Sequence, residues 1–327
     1  MSNLKHWKIR IAFGILLLGL PLLAIYFNGS NALSGIIYGV SNEAKYLDTI
    51  DIHKLNVNYG VYDPEHKFSK SNGLAFDHYY YQWNKFNKAR FMEDMIYSEQ
   101  KNRWPIITIE PYPFTWTTKN QLFFDIQKGK YDTVIYQIYD AIKSYGKPIF
   151  LRWGHEMEKV TGRYAWASKD YVGYTSSYRY VVNKFKPLGK SVYFVWSPIG
   201  NQELFNYWPG TDYVDFIGIS IYSFSDWEKK YYGDRRSFQT LFQEKYDRIK
   251  LLGKPIIIAE LGINGDRKTQ NEWLKKGFKS FSKFPELKSV IYFNAKDSKD
   301  AWGNNFSTPE WQIDSTIFNR KKVAKIK

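Results

Sequence analysis

The stretch KPIIIAELG at residues 254–262 holds four consecutive apolar residues and then a carboxylate, Glu260. A short run that is apolar at every position is typical of a parallel strand covered on both faces. The stretch KPIFLRWGHEM at residues 147–157 has the same form and leads into Glu156. The sequence therefore predicts two buried strands, each with a glutamate at its carboxyl end.

Runs of this kind recur along the chain and alternate with longer segments of helical pattern. Several of those segments end at a glycine, as helices commonly do. The predicted helices include Tyr131–Tyr145, Tyr171–Phe185, Phe238–Leu252 and Thr269–Phe281, and the predicted strands are Asn58–Tyr62, Phe76–Tyr81, Pro105–Glu110, Pro148–Arg152, Ser191–Trp196, Phe216–Ile221, Pro255–Glu260 and Val290–Asn294.

Eight strands alternating with helices predict an α/β protein with a single (β/α)8 TIM barrel. The connection at residues 63–75 is too short for a full helix. An open, doubly wound sheet is the alternative. That fold favours a glycine-rich phosphate loop after the first strand, which this sequence lacks.

The N-terminal segment has a different character. Three basic residues within the first ten precede an apolar run from Ile11 to Phe27, and no charge follows until Glu43. This pattern predicts either a signal peptide cleaved near Ala32 or an uncleaved membrane anchor. Both place residues 33–327, the predicted catalytic domain, outside the cytoplasm, as a secreted or membrane-anchored protein. Residues 1–32 form the predicted signal or anchor.

The composition excludes several classes of site. The chain has no cysteine, so disulfides, thiolate metal sites and cysteine nucleophiles are excluded. The net charge is +15, but the basic residues are scattered, which argues against nucleic-acid binding and is compatible with anionic envelope polymers. The five histidines show no metal-ligand spacing, and we expect no metal and no cofactor.

Glu156 and Glu260 are the candidate catalytic residues. In a barrel, the carboxyl ends of all strands surround one opening, where the chemistry takes place. Two carboxylates across such an opening can act as proton donor and as nucleophile in glycoside hydrolysis. Burial and mutual repulsion are expected to raise the pKa of the acid, whereas hydrogen bonds keep the nucleophile ionised.

The motif at residues 152–157, RWGHEM, resembles the fourth-strand signature of glycoside hydrolase family 26, in which His precedes the acid/base Glu. Further motifs in the same order extend the resemblance over roughly residues 58–311. They are Gly60 to Pro64, Tyr80 to Trp83, Thr108 to Pro111, Val195 to Pro198, Asp215 to Tyr222, Lys254 to Gly262, and Tyr292 to Asn294 with Trp302 downstream.

The resemblance implies a retaining hydrolase of β-linked polysaccharide, such as β-mannan, mixed-linkage β-glucan or β-1,3-xylan. Glu156 would be the acid/base and Glu260 the nucleophile. Tyr222 would orient the nucleophile, and Arg152 would support the carboxylates electrostatically. His155 and Trp302 would contact the sugar that precedes the cleaved bond.

Three other residues are candidates for substrate binding. Trp83 and Trp166 lie at or near predicted strand ends or loops, and aromatic faces stack on sugars, although packing is the commoner role of a tryptophan. Glu110 ends the third predicted strand and can hydrogen-bond a sugar or a neighbouring group. The sequence departs from the family at Glu158, where Asn is usual, and this departure leaves the substrate preference open.

These observations lead to an endo-acting β-glycanase as the first hypothesis, which we expect to be a monomer. Its partners would be the polysaccharide and, if the anchor is retained, the membrane. A non-catalytic carbohydrate-binding protein on the same scaffold is the second hypothesis, because a fold alone does not guarantee activity. An envelope-assembly factor with a vestigial cleft is the third.

Overall fold

The structure is a computed structural model that describes residues 57–299 and 301–318. The predicted signal or anchor at residues 1–32 lies outside these described residues. Within the described ranges, no helix is both long and apolar enough to cross a membrane.

Eight parallel strands close into a barrel in chain order, and each strand pairs with the next. Gly60 in the first strand is paired with Ile291 in the last, which closes the ring and rules out the open sheet. The strands are β1 (Asn58–Tyr62), β2 (Phe76–Gln82), β3 (Trp104–Glu110), β4 (Ile149–Trp153), β5 (Val192–Trp196), β6 (Phe216–Ser223), β7 (Ile256–Ile263) and β8 (Leu287–Phe293). The predicted barrel is thus confirmed.

Seven α-helices surround the barrel in the described residues, together with short 3₁₀ turns. They are α1 (Lys88–Gln100), α2 (Lys119–Gln127), α3 (Asp132–Tyr145), α4 (Tyr171–Phe185), α5 (Ser225–Tyr232), α6 (Phe238–Ile249) and α7 (Arg267–Lys279). Several begin at a side chain that accepts an N–H of the first turn, as Asp170 does from Gly173 at 2.8 Å. Gly146 ends α3 in the left-handed conformation, with φ of 70°.

The connection between β1 and β2 contains turns and no helix, as its length predicts. A buried arginine holds it in place. Arg103 donates to the carbonyls of Phe68 and Ser71, both at 2.8 Å, and pairs with Asp77 at 2.9 Å. These bonds satisfy backbone groups that a helix would otherwise have paired internally.

Aromatic side chains fill the barrel near the amino ends of its strands. Phe150 lies with its ring centroid 5.3 Å from each of Phe76, Tyr193 and Phe216, and three of these four residues come from the even strands β2, β4 and β6. Such layers make the interior of a barrel a packed core. The barrel is therefore closed at this end, and the cavity described below lies among residues from the carboxyl ends of the strands.

Candidate active site

Glu156 and Glu260 both lie at the carboxyl end of the barrel, and a different irregularity of the backbone orients each of them. Glu260 lies within β7, where the pairing with β6 shifts: Ile219 is paired with Ile258, but Ser220 is paired with Glu260. Ala259 is the extra residue of this β-bulge. Because successive side chains of a strand point to opposite faces, one extra residue changes the direction in which Glu260 projects.

Glu156 follows β4 in a left-handed backbone conformation, with φ of 52°, which is uncommon for a residue other than glycine. Gly154, two residues earlier, is also left-handed. The N–H of Glu156 donates to the carbonyl of Ser197 after β5 at 2.8 Å. Backbone strain of this kind concentrates at functional sites, and here it turns the carboxylate into the cavity.

Glu260 is buried and held at both carboxylate oxygens. Arg152 Nη1 donates to Oε1 at 2.6 Å, and the hydroxyl of Tyr222 donates to Oε2 at 2.6 Å. Burial by itself raises the pKa of Glu260, but Arg152 and the Tyr222 hydrogen bond outweigh it and hold the pKa well below its usual value. Glu260 is therefore ionised at neutral pH.

Glu156 is equally buried, and its surroundings differ from the prediction. Tyr164 donates to Oε2 at 3.4 Å, and Lys159 Nζ lies 3.8 Å from the same oxygen. Burial and the charge of Glu260 raise the pKa of Glu156, as expected, but Lys159 and a hydrogen bond with Ser220 favour the ionised form, and the pKa is lowered overall. The expected rise is absent because Lys159, which sequence reasoning missed, lies beside the carboxylate.

Both carboxylates line one cavity of about 810 Å³. Glu110, His155, Tyr222 and Trp302 also line it, so six of the nine candidate residues meet at this cavity. A buried polar atom on its wall, His155 Nδ1, has no hydrogen-bond partner in the described protein, and the buried hydroxyls of Tyr80 and Ser220 lie beside Glu260 and Glu156. Buried polar atoms are normally paired, so this wall is suited to a ligand rich in hydroxyl groups.

Two titratable groups in the cavity wall are strongly shifted by burial. Burial, reinforced by the charge of Glu260, raises the pKa of Glu110 to about 7. Burial, reinforced by the charge of Arg152, lowers the pKa of His155 to about 3. His155 is therefore neutral, and Glu110 is partly protonated near neutral pH. Each can donate a hydrogen bond as well as accept one.

Trp302 is partly exposed on the cavity wall, and its indole N–H donates to Asp297 Oδ2 at 3.0 Å. Lys159 Nζ lies 6.0 Å from the centroid of a Trp302 ring. A fixed, partly exposed indole is a suitable platform for a sugar ring.

The remaining three candidates do not line the cavity, because their side chains are at most 1 % exposed. Trp83 stacks on Tyr131 at 4.8 Å, and Trp166 stacks on Tyr164 at 4.7 Å while donating to the carbonyl of His155. Direct sugar binding by Trp83 and Trp166 was thus a wrong expectation. Arg152 is fully buried and pairs directly with Glu260, and its charge also acts on Glu156 and Glu110.

Residues that sequence reasoning missed come mainly from outside the strand-end motifs. Glu158 accepts the backbone N–H groups of Ile199, Gly200 and Asn201 and so fixes the loop after β5. Lys245 projects from α6 into the cavity wall. Of these residues, only Glu158 had a sequence signal, because it stands where the family pattern has Asn.

In residues 57–299 and 301–318, no group of three or more His, Asp and Glu side chains is arranged to hold a metal ion.

Comparison with known proteins gives sequence relatives but no matching family model. The chain is 27% identical over 266 residues to Endoglucanase H of Acetivibrio thermocellus, which covers 74% of this chain and 27% of the relative. It is 22% identical over 220 residues to a β-1,3-xylanase of a Vibrio species, which covers 57% of this chain and 44% of the relative. The chain thus spans less than half the length of these curated relatives.

Solved structures share the architecture at lower sequence identity. A GH26 β-mannanase from Bacteroides ovatus superposes with a TM-score of 0.59 at 15% identity, covering 88% of this chain and 90% of the other. A GH26-CBM35 β-(1,4)-mannanase from Podospora anserina gives a TM-score of 0.56 at 13% identity, covering 91% and 65%. The chain therefore has the barrel fold of the family 26 glycoside hydrolases, and its curated sequence relatives are glycoside hydrolases.

Proposed function

We propose that the chain is a retaining glycoside hydrolase that cleaves β-linked polysaccharide by double displacement. The observation that carries this proposal is the pair of buried carboxylates in one cavity, of which Glu260 is held ionised by Arg152 and Tyr222. An ionised carboxylate with its orientation fixed at both oxygens is suited to attack on an anomeric carbon.

In the first step, a Glu260 oxygen bonds to the anomeric carbon while the glycosidic bond breaks. Glu156, in its protonated form, gives its proton to the departing oxygen. In the second step, Glu156 removes a proton from water, whose oxygen displaces Glu260 from the same carbon. Two inversions give net retention, and both carboxyl groups return to their starting state.

His155, Trp302 and Glu110 are assigned to sugar binding. The neutral imidazole of His155 has an unpartnered nitrogen beside the two carboxylates, and Trp302 offers a stacking surface. Glu110, with its raised pKa, can present either a proton or a lone pair to a hydroxyl group. Tyr222 and Arg152 are positioning residues, because they act through Glu260.

An endo mode of action is supported by a second cavity of about 550 Å³ that shares Arg163 and Tyr164 with the first. Trp116 lines this second cavity with 90 % of its surface exposed, and Phe114 lines it with 56 % exposed. Exposed aromatic rings along an extended groove suit several consecutive sugar units, as an enzyme that cuts inside a chain requires.

We also propose that the enzyme acts outside the cytoplasm. The basic residues and the apolar run from Ile11 to Phe27 support an N-terminal signal or anchor, with the catalytic domain at residues 33–327.

The test of the catalytic assignment is chemical rescue with azide. Full-length wild type, Glu260→Ala and Glu156→Ala are incubated with an activated aryl β-glycoside of a β-1,4-mannan or β-glucan oligosaccharide. Both variants should lose activity by about three orders of magnitude or more. With azide, Glu260→Ala should yield the α-glycosyl azide, because azide takes the place of the nucleophile. Glu156→Ala should yield the β-glycosyl azide through the intact intermediate.

Other outcomes have definite meanings. If Glu260→Ala yields the β-glycosyl azide and Glu156→Ala the α-glycosyl azide, Glu156 is the nucleophile and Glu260 is the acid/base. Wild type that releases no reducing ends from any β-glycan, yet binds these polymers as tightly as Glu260→Ala does, would replace the hydrolase by a carbohydrate-binding protein.

A further inference from the structure

One wall of the large cavity carries basic side chains. The loop after β5 and helix α6 form this wall. It includes Lys245 and Arg248, and these two residues are here termed the basic wall. Arg236 lies on the same cavity but is neutralised locally, since it contacts Glu228 at 3.3 Å and Glu244 at 3.6 Å.

The two residues of the basic wall have no such partner. No carboxylate in the described part of the chain forms an ion pair with Lys245 Nζ or with the Arg248 guanidinium. Their bonds go to neutral carbonyl groups instead: Lys245 donates to Ser220 at 2.8 Å, and Arg248 donates to Gly200 at 2.8 Å. Lysine has three donors and arginine five, so both side chains are fixed in place with donors to spare.

The basic wall lies close to the catalytic centre. Burial lowers the pKa of Lys245 to about 8, while the charges of Glu156 and Glu158 act to raise it. Its stem also packs closely on the β5 loop, because a Cβ at Gly200 would lie 3.0 Å from Lys245 Cγ. Lys245 is therefore a built part of the wall beside Glu156, rather than a mobile surface chain.

The backbone of this loop offers a further anion-binding feature, but the protein fills it. Three consecutive N–H groups, at residues 199–201, converge on the Glu158 carboxylate. On this wall, the positive side chains that remain for a ligand are those of Lys245 and Arg248. Unpaired cations in a concave, partly desolvated wall attract anions, whereas neutral sugar hydroxyls do not require them.

We propose that the basic wall binds an oxyanion carried by the polysaccharide, so that the substrate is an acidic β-glycan. This inference rests on the proposed function and names the class of its substrate. A carboxylate of a uronic acid and a phosphate ester both supply the required chemistry.

The test uses the full-length protein in mild detergent, with β-mannan and mixed-linkage β-glucan as probes. Each polymer is prepared in its native form, oxidised at C6 to the uronate, and phosphorylated at C6. Binding is measured by affinity electrophoresis in the Glu260→Ala background, and cleavage is measured as reducing ends in the wild-type background. Comparison of the two charged forms identifies the preferred anion.

We expect at least one charged form to bind about tenfold more tightly than its parent at low salt, with the preference falling as salt is added. Lys245→Met and Arg248→Gln should each reduce this preference by several-fold. Lys245→Arg keeps the charge and should retain most of it. Lys250→Met is the matched control, because Lys250 is exposed and pairs with Asp247 at 2.6 Å, and it should keep the full preference.

Equal binding of charged and neutral polymers, or a preference that survives both Lys245→Met and Arg248→Gln, would overturn the inference. The proposed function fails in a different way. If charged polymers bind through Lys245 but wild type releases no more reducing ends than Glu260→Ala, the oxyanion site is supported and the hydrolase activity is rejected. If wild type cleaves neutral polymers and shows no preference for charged ones, the hydrolase activity is supported and the oxyanion site is rejected.

Discussion

Arg152 Nη1 lies 2.6 Å from Glu260 Oε1, and the arginine side chain is completely buried beneath that carboxylate. The ion pair joins β4 to β7 across the barrel interior. Its main consequence is electrostatic, since Glu260 keeps its negative charge in a place where burial alone would favour the neutral acid.

Replacing Arg152 should therefore destabilise the protein in a pH-dependent way. In wild type the depressed pKa of Glu260 stabilises the fold above its ordinary pKa, and this stability is lost as the pH falls. In Arg152→Met the carboxylate is buried without a partner, so we expect a loss of about 3–5 kcal/mol at pH 7 and a smaller loss at pH 4. Denaturant unfolding at both pH values measures this difference. Arg152→Lys, which keeps a charge, should lose less, and equal losses at both pH values would contradict the argument.

Tyr222→Phe removes one hydrogen bond to the nucleophile and little else. A hydrogen bond to a charged group contributes about 1.5–3 kcal/mol, so kcat/KM should fall about 10- to 100-fold. The pKa of Glu260 should rise, which moves the acidic limb of the pH profile of kcat/KM to higher pH. Tyr79→Phe serves as the control, because the Tyr79 hydroxyl bonds to Ser98, away from the cavity lining. An unmoved acidic limb in Tyr222→Phe would refute the positioning role.

Lys159→Met tests the pKa of the acid/base. Lys159 favours the ionised form of Glu156, so its removal should raise the pKa of Glu156. The alkaline limb of kcat/KM, along which the proton donor is lost, should then move to higher pH. Lys169→Met is a suitable comparison, since Lys169 pairs with Glu203 on the surface. An alkaline limb at the same pH in Lys159→Met as in wild type would mean that the titration of Glu156 does not determine it.

Glu110→Gln should change how stability depends on pH. The folded-state pKa of Glu110 is about 7, raised from an ordinary value of 4.5, so its contribution is fully present below pH 4.5 and is lost as the pH rises through 7. Glutamine does not ionise, and the fall in Tm between pH 5 and pH 8 should shrink by about 2–4 °C. Thermal unfolding of Glu203→Gln, an exposed counterpart, should show the wild-type dependence. An unchanged fall in Glu110→Gln would argue against the raised pKa.

Trp116→Ala tests the extended groove. The indole is exposed in the second cavity, so its loss should raise KM several-fold on long polymers. The loss should be smaller on a short aryl oligosaccharide that fills only the catalytic centre. Phe124→Ala removes an exposed aromatic from α2 instead and should leave both substrates unaffected. Equal losses of Trp116→Ala on both substrates would point to a folding defect.

The barrel was predictable because buried parallel strands have a local signature. Predicted and observed strands agree within about three residues at each end, and β1 is identical to its prediction. The two carboxylates were predictable for the same reason, since each follows an apolar run. In a barrel, the carboxyl ends of all strands surround one opening, whatever sequence connects the strands. A position at the end of a strand was therefore enough to predict that Glu156 and Glu260 line one cavity.

Features that depend on packing between distant segments were not predictable. Trp83 follows the end of β2 and Trp166 lies in the loop between β4 and α4, yet Tyr131 and Tyr164 pack against them and they are buried. The lowered pKa of Glu156 depends on the direction of one lysine side chain. Lys245 lies on α6, where helical periodicity gives no sign that a particular lysine faces the barrel opening.

The segment that carries Glu156 is tied to the loop after β5 at two points. The N–H of Glu156 bonds to the carbonyl of Ser197, and the Glu158 side chain holds residues 199–201. These hydrogen bonds hold the proton donor Glu156 and the loop after β5 in a fixed relative position. A change of sugar specificity made by exchanging this loop alone would misplace the donor, so new substrates are accessible only if the Glu156–Glu158 segment and the loop are exchanged together.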